Sequence, residues 1–564
     1  VWFSNFADQR LWRIAPGGEP EPLTPPPEKG VQPVRYADAV ARPDGQWLDC
    51  LRETHLGQSA TEVVNEIVAL PANRTGSGGS VLATGRDFYS FPRISPDGRW
   101  LVWTCWDHPL MPWDGTECWL AELGWSSSGP TLAEPKLVAG GQTESVFQPA
   151  WAPGGTLYYV SDAPNGWWNL HRYDLATGTS QAVTDTEGEW GRAQWVFGLS
   201  TYAFLADGTV VGTWTAGGVD HLGLVSASGS VTKIELAYTS ISHVQVATTE
   251  QGQSVVFIGG EPRTPSAVVD LLIGSDGVPG APKVLVASRV LELDPADLSA
   301  PEPIKFLTGD GQAAHALFYP PTSSRFEGPE DQRPPLLVMS HGGPTSATSS
   351  ALNLSVQFWT SRGIAVVDVN YRGSTGYGRT YRDALRDSWG LTDVDDCVYA
   401  AFYLVEQGHA DVDRLCIRGA SAGGYTTLCA LTFRDTFAAG ASYYGVGDVA
   451  ALAADTHKFE ARYLDGLIGA WPEALEIYRA RSPLYHTELL DCPVILFQGA
   501  EDPVVPPSQA EAMAAALGER GIRHAVLCFE GEQHGFRQAG TLRRCLEAEL
   551  AFYGEALGFD PPGG

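Results

Sequence analysis

Basic side chains are few in this chain: 37 lysines and arginines stand against 66 aspartates and glutamates, a formal charge of -29. Such a surface repels phosphate backbones and anionic headgroups, so nucleic acid and membrane are not expected as partners. Long apolar runs are missing as well. No stretch approaches the ~18 uninterrupted apolar residues of a membrane helix, and no charged n-region leads into an apolar h-region, so no signal peptide is visible. The nine cysteines are an odd number, lie far apart and include no C-x-x-C pair or metal-ligand spacing, which argues against a disulfide framework or a zinc site. Reduced thiols in a cytoplasmic protein are the expectation. An initiating methionine is also lacking, and Val1 to Thr24 reads like the last strands of a repeat. A propeller short of roughly one N-terminal blade, on the order of 50 residues, is therefore expected.

What is present divides in two. At 564 residues the chain exceeds one ordinary hydrophobic core, so two domains are expected, a β-propeller over 1–300 and a catalytic domain over 301–564. In the first part five turns recur between short, aromatic-rich apolar runs: Pro43-Asp44-Gly45, Pro96-Asp97-Gly98, Pro153-Gly154-Gly155, Ala206-Asp207-Gly208 and Gln251-Gly252. Their glycines are 53, 57, 53 and 44 residues apart. A second turn usually follows, as in Asp174-Leu175-Ala176-Thr177-Gly178, giving about four strands per period, the pattern of propeller blades. A plain β-sandwich is the competing reading.

From about Pro301 apolar runs alternate with helical stretches. Leu336–Met339, Ile364–Val369, Arg414–Ile417, Val494–Phe497 and Ala525–Cys528 read as five buried strands; Thr392–Glu406, Ser508–Arg520 and Leu542–Ala556 read as helices. Continuous apolar strands between helices predict a doubly wound, mostly parallel sheet, an α/β-hydrolase.

Chemistry concentrates in Gly419-Ala420-Ser421-Ala422-Gly423, between a strand and a helix. A nucleophilic serine at such an elbow is held in a strained conformation, and only small flanking residues avoid neighbouring backbone. Its hydroxyl needs a general base and an orienting acid, which in this fold follow in the order acid, then histidine. Asp502, in the loop after the strand ending at Phe497, fits the acid, with Glu501 as rival; His534, after the last strand and followed by Gly535, fits the base. For the oxyanion, the N–H of Ala422 and a donor from His341-Gly342-Gly343-Pro344 are the candidates.

Together, His341-Gly342-Gly343-Pro344, Asn370-Tyr371-Arg372-Gly373-Ser374, the elbow with its double glycine, Gly499 to Pro506 and His534-Gly535-Phe536 resemble the prolyl oligopeptidase (S9) family of serine peptidases, nearest its acylaminoacyl peptidase and aminopeptidase branch. Phe3 to Arg10, Trp106 to Pro109 and Trp113 to Glu117 extend the resemblance into the propeller. Two departures stand out: the family's Gly-Glu-Gly-His is here Gly531-Glu532-Gln533-His534, and Ala422 stands where dipeptidyl peptidases have tyrosine.

The resemblance implies a peptidase acting on short peptides or aminoacyl amides, with the propeller limiting access and neither metal nor organic cofactor required. Association with further copies of the chain stays open. An aminopeptidase needs carboxylates near the substrate ammonium, for which Glu187, Glu189, Asp107, Asp114 and Glu117 are candidates; a carboxypeptidase needs an arginine, Arg192 or Arg372; Glu460 is a candidate for the primary pocket. Tyr443, Tyr444 and the run Phe459 to Tyr463 are candidates for the primary pocket, with core packing as the alternative. Acylaminoacyl peptidase, dipeptidyl peptidase, carboxypeptidase and carboxylesterase remain as alternatives to an aminopeptidase, and a propeller interaction protein with an idle hydrolase domain is the most distant reading.

Overall fold

The computed structural model describes residues 1–560 apart from 58, 74, 77, 128 and 251. Six small antiparallel sheets follow one another among the described residues up to Ala287, the first of three strands (Trp2–Ser4, Leu11–Arg13, Glu21–Pro22) and the others of four or five. They form a β-propeller. The anticipated turns join the first two strands of successive sheets, as Pro43-Asp44-Gly45 does between Arg35–Ala41 and Trp47–His55. Their chemistry explains the spacing: Asp44, Asp97 and Asp207 each accept the N–H two residues on, and the following glycines take positive φ, as hairpin turns of this kind demand. Gln251 of the fifth turn lies outside the described residues, while Gly252 opens the strand Gly252–Gly260.

A seventh sheet has eight strands: β1 (Glu302–Leu307), β2 (Ala313–Tyr319), β3 (Leu336–Ser340), β4 (Ala365–Asn370), β5 (Leu415–Ala420), β6 (Ala439–Tyr443), β7 (Val494–Gly499) and β8 (His524–Phe529). Their order is β1-β2-β4-β3-β5-β6-β7-β8. The β1/β2 and β2/β4 pairs are antiparallel and the rest are parallel. This is an α/β-hydrolase sheet. Three strands exceed the sequence expectation. β6 is the instructive one: Ala-Gly-Ala-Ser-Tyr carries little hydrophobicity because it lies under the helix Ala422–Phe433, where a Cβ on Gly440 would sit 2.4 Å from Leu431 Cδ1. Small residues there serve close packing.

The two parts meet along a charged seam. The short helix Gly378–Asp383 turns Arg379 and Arg382 onto propeller Asp162 (2.5 and 2.8 Å), and the Arg382 guanidinium lies 4.3 Å from the centre of the Trp168 ring. Arg386 reaches Asp114 at 2.7 Å. All nine cysteines are free, and no helix among the described residues is long and apolar enough to cross a membrane.

Candidate active site

Ser421 stands at the junction of β5 and the helix Ala422–Phe433, with φ 56° and ψ −120°. A non-glycine residue held there costs on the order of 1–3 kcal/mol and persists only where its surroundings over-determine it. They do so here. Ser421 N–H donates to the Tyr443 carbonyl at 2.9 Å and Tyr425 N–H to the Ser421 carbonyl at 3.0 Å. A Cβ on Gly419 would lie 2.2 Å from the Gly423 carbonyl oxygen, and one on Gly423 2.1 Å from that of Ser340. The glycines of the motif are thus required by the approach of β3 and β5 beneath the elbow.

The hydroxyl of Ser421 is 2.8 Å from His534 Nε2, and His534 Nδ1 is 2.8 Å from Asp502 Oδ2. Asp502 is buried, and its other oxygen accepts the N–H groups of Val504 and Val505 at 2.8 and 2.9 Å. One carboxylate oxygen is therefore pinned by its loop and the other presented to the imidazole, whereas the rival Glu501 is exposed. The His534 loop has its own brace: buried Glu532 accepts the N–H groups of Arg537 and Gln538, both at 2.9 Å. The Tyr444 ring stands edge-on to His534, 4.9 Å between centroids, and to Phe536.

Across the serine lies the loop after β3. A Cβ on Gly342 would be 3.5 Å from Ser421 Cβ, so this backbone borders the serine. Its neighbour Gly343 takes φ 126°, open to glycine. The side chain of His341 is engaged within the loop itself. Its half-buried imidazole stacks on Tyr371 at 4.3 Å and reaches Ser374 Oγ at 2.7 Å, and desolvation pushes its pKa down to about 4. The side chain is neutral at pH 7 and braces the loop.

The specificity candidates separate sharply. Glu189 is 2% exposed; its oxygens accept the N–H groups of Trp168 and Gly378, both at 3.0 Å, and Arg382 lies 3.9 Å away. It ties the seam and is not free for a substrate ammonium. Asp114 is taken by Arg386, and Asp107 and Glu117 by Arg86. Glu187 is exposed. Arg372 is buried between Asp396 (2.8 Å) and Asp310 (2.7 Å), which removes it as a carboxylate anchor, and Arg192 pairs with Asp220 at 2.6 Å. Tyr443 belongs to the core, its hydroxyl donating to Glu549 at 2.5 Å.

Glu460 is placed differently. It ends the turn Lys458–Glu460, His457 Nε2 lies 3.9 Å from its carboxylate, and the charges of His457 and His534 both act on it. Burial raises its pKa above the ordinary glutamate value, more than those imidazoles lower it. Tyr463, three residues on, bonds Thr345 Oγ1 at 2.7 Å and packs against Trp113 and Trp195. Sequence reasoning missed Trp195, whose indole N–H donates to the Thr345 carbonyl at 2.7 Å, and Lys458; nothing local in the sequence signals either.

A strained serine joined through histidine to a buried aspartate is the constellation of a serine hydrolase. The prolyl oligopeptidase family matches residues 350–560. Among solved structures, a puromycin hydrolase is 40% identical with a TM-score of 0.92, the match covering 100% of this chain and 85% of that one. A puromycin-hydrolyzing peptidase of Mycobacterium tuberculosis is 42% identical, with the same TM-score and coverage. Among curated relatives, dipeptidyl aminopeptidase BIII of Pseudoxanthomonas mexicana is 30% identical over 238 residues, 41% of this chain and 34% of that protein. The match thus spans only about a third of that curated relative's length. The chain belongs to the prolyl oligopeptidase family of serine peptidases.

Proposed function

We propose that this chain is a serine peptidase of short peptides and aminoacyl amides that acts as an aminopeptidase through an acyl-enzyme on Ser421. The observation that carries the reading is the continuous hydrogen-bond chain Ser421–His534–Asp502. His534 Nε2 takes the hydroxyl proton as Ser421 Oγ attacks the carbonyl carbon, and Asp502 holds the Nδ1–H and stabilises the imidazolium. The tetrahedral oxyanion meets the N–H of Ala422 and the Gly342–Gly343 backbone. His534 then protonates the leaving amine, and water, deprotonated by the same imidazole, releases the acid.

The choice of substrate end rests on Glu460, a carboxylate apart from Asp502 that the charge of His534 also reaches. It suits the α-ammonium of an N-terminal residue. Arg372, the alternative for a C-terminal carboxylate, already serves two aspartates. Two similar structures are named for puromycin hydrolysis, and puromycin is itself an amide of an amino acid with a free amino group. The test is a panel of aminoacyl, N-acetylaminoacyl and dipeptidyl p-nitroanilides, the matching aminoacyl esters, and peptides varied at their C-terminus. The highest kcat/KM is expected on the free aminoacyl amides; equal turnover of the N-acetyl compounds would sink the aminopeptidase reading, and activity confined to esters the peptidase one.

A further inference from the structure

Glu460 belongs by sequence to the hydrolase domain, but its turn is seated in the propeller. The Lys458 ammonium is mostly buried and donates to two backbone carbonyls, Val63 at 2.9 Å and Asp87 at 2.7 Å. Val63 opens a strand of the second propeller sheet, and Asp87 immediately precedes the first strand of the third. The ammonium also lies 4.9 Å from the centre of the Phe88 ring. One cation thereby joins two blades to one hydrolase turn.

The socket around it is built on both sides. His108 Nε2 is 2.9 Å from the Lys458 carbonyl oxygen, and burial lowers the pKa of this histidine. A carbonyl only accepts, so Nε2 carries the proton. Asp87 is held in turn: its carboxylate accepts the His108 N–H at 3.0 Å, and its own N–H donates to Asp107 at 2.7 Å. Phe459 projects among propeller aromatics, edge-on to Phe88 at 5.8 Å and tilted against Trp195 at 5.9 Å. Beside it opens a cavity of about 590 Å³ bordered by Phe88, Trp106, Trp195 and Phe459.

Glu460 therefore hangs between two fixed points. Lys458, two residues before it, is fixed to the propeller, and Tyr463, three residues after it, is fixed to Thr345 beside the oxyanion loop. Neither anchor touches the serine, yet together they fix the carboxylate relative to it.

We propose that Lys458 is a positioning residue through which the propeller sets the site for the substrate α-ammonium, by holding the turn that carries Glu460 between the propeller and the loop at Thr345. The inference rests on the reading of Glu460 as the ammonium anchor. It makes recognition of the free N-terminus a property of the docked domains: the propeller holds the residue that reads the substrate end as well as limiting access.

The experiment measures KM and kcat of the full chain on an aminoacyl and an N-acetylaminoacyl p-nitroanilide for Lys458→Met, Lys458→Arg, His108→Asn and Glu460→Gln. Loss of charge-assisted hydrogen bonds to Lys458 is expected to raise KM for the aminoacyl substrate about tenfold in Lys458→Met, with kcat and the N-acetyl KM within about threefold of wild type. Lys458→Arg, which keeps a cation able to donate to both carbonyls, is expected to restore KM to within about threefold. His108→Asn should shift KM in the same direction by less, and it carries the test if Lys458→Met does not fold. An equal rise on both substrates, or none on the aminoacyl one, overturns the proposal. Should Glu460→Gln raise the aminoacyl KM while Lys458→Met and His108→Asn leave it unchanged, the anchor stands and only the positioning role falls. Should Glu460→Gln leave it unchanged, both fall.

Discussion

Around Ser421 the contacts that hold the serine come from neighbouring strands of one sheet: Tyr443 from β6, Ser340 from β3, and the loops after β7 and β8. Along the seam the partners lie much farther apart in the chain, Arg382 with Asp162 across 220 residues and Lys458 with Val63 across 395. The first region is assembled by strand order and backbone fit within one domain. The second exists only when two separately built domains meet, and its pairs include buried charges.

That contrast can be tested from its strongest consequence downward. Ser421→Ala is expected to lower amidase kcat by about 10⁴-fold or more with thermal stability unchanged or improved, since the φ strain is kept but the hydroxyl is lost; substantial retained turnover in a steady-state assay would remove the elbow from the chemistry. Asp502→Asn should cost about 10⁴-fold in kcat by presenting the wrong partner to His534 Nδ1, while far-UV circular dichroism stays native. At the seam, Asp162→Ala leaves Arg379 and Arg382 without their shared carboxylate and is expected to destabilise the fold by about 3–5 kcal/mol, read as a lowered Tm. A Tm unchanged by that substitution would mean that the seam is not held by its charges.

The smallest expected effect concerns pH. Because burial raises the Glu460 pKa, the anchor loses its charge at a higher pH than an ordinary glutamate does. KM for aminoacyl substrates should therefore increase as pH falls through that raised value, by about tenfold at its limit, and decrease again as pH rises above it. N-acetyl substrates share the His534 titration but should lack this limb, as should the Glu460→Gln variant. Matching KM profiles for the two substrate types would separate Glu460 from the ammonium.

Much of this could be read from residue order. The spaced Asp-Gly turns predicted the small sheets because an aspartate that bonds its own backbone and a glycine at positive φ make a hairpin wherever they occur. The elbow was legible for a similar reason, its glycines being demanded by contacts that any chain with this strand–turn–helix would make. Less legible was β6, whose small residues carry no hydrophobic signal, and the difference between adjacent Tyr443, sunk against Glu549, and Tyr444, set against His534.

Order along the chain, then, was enough to establish the hydrolase, its propeller and the candidates Ser421, Asp502 and His534, because local sterics and strand succession are written residue by residue. It could not say which charges were free. Glu189 and Arg372 are as polar as Glu460 in the sequence, yet the fold uses the first as a tie between domains and the second as the centre of an aspartate pair. Charge is neutralised by whatever the fold brings within a few ångströms, and partners hundreds of residues apart are chosen only when the domains dock.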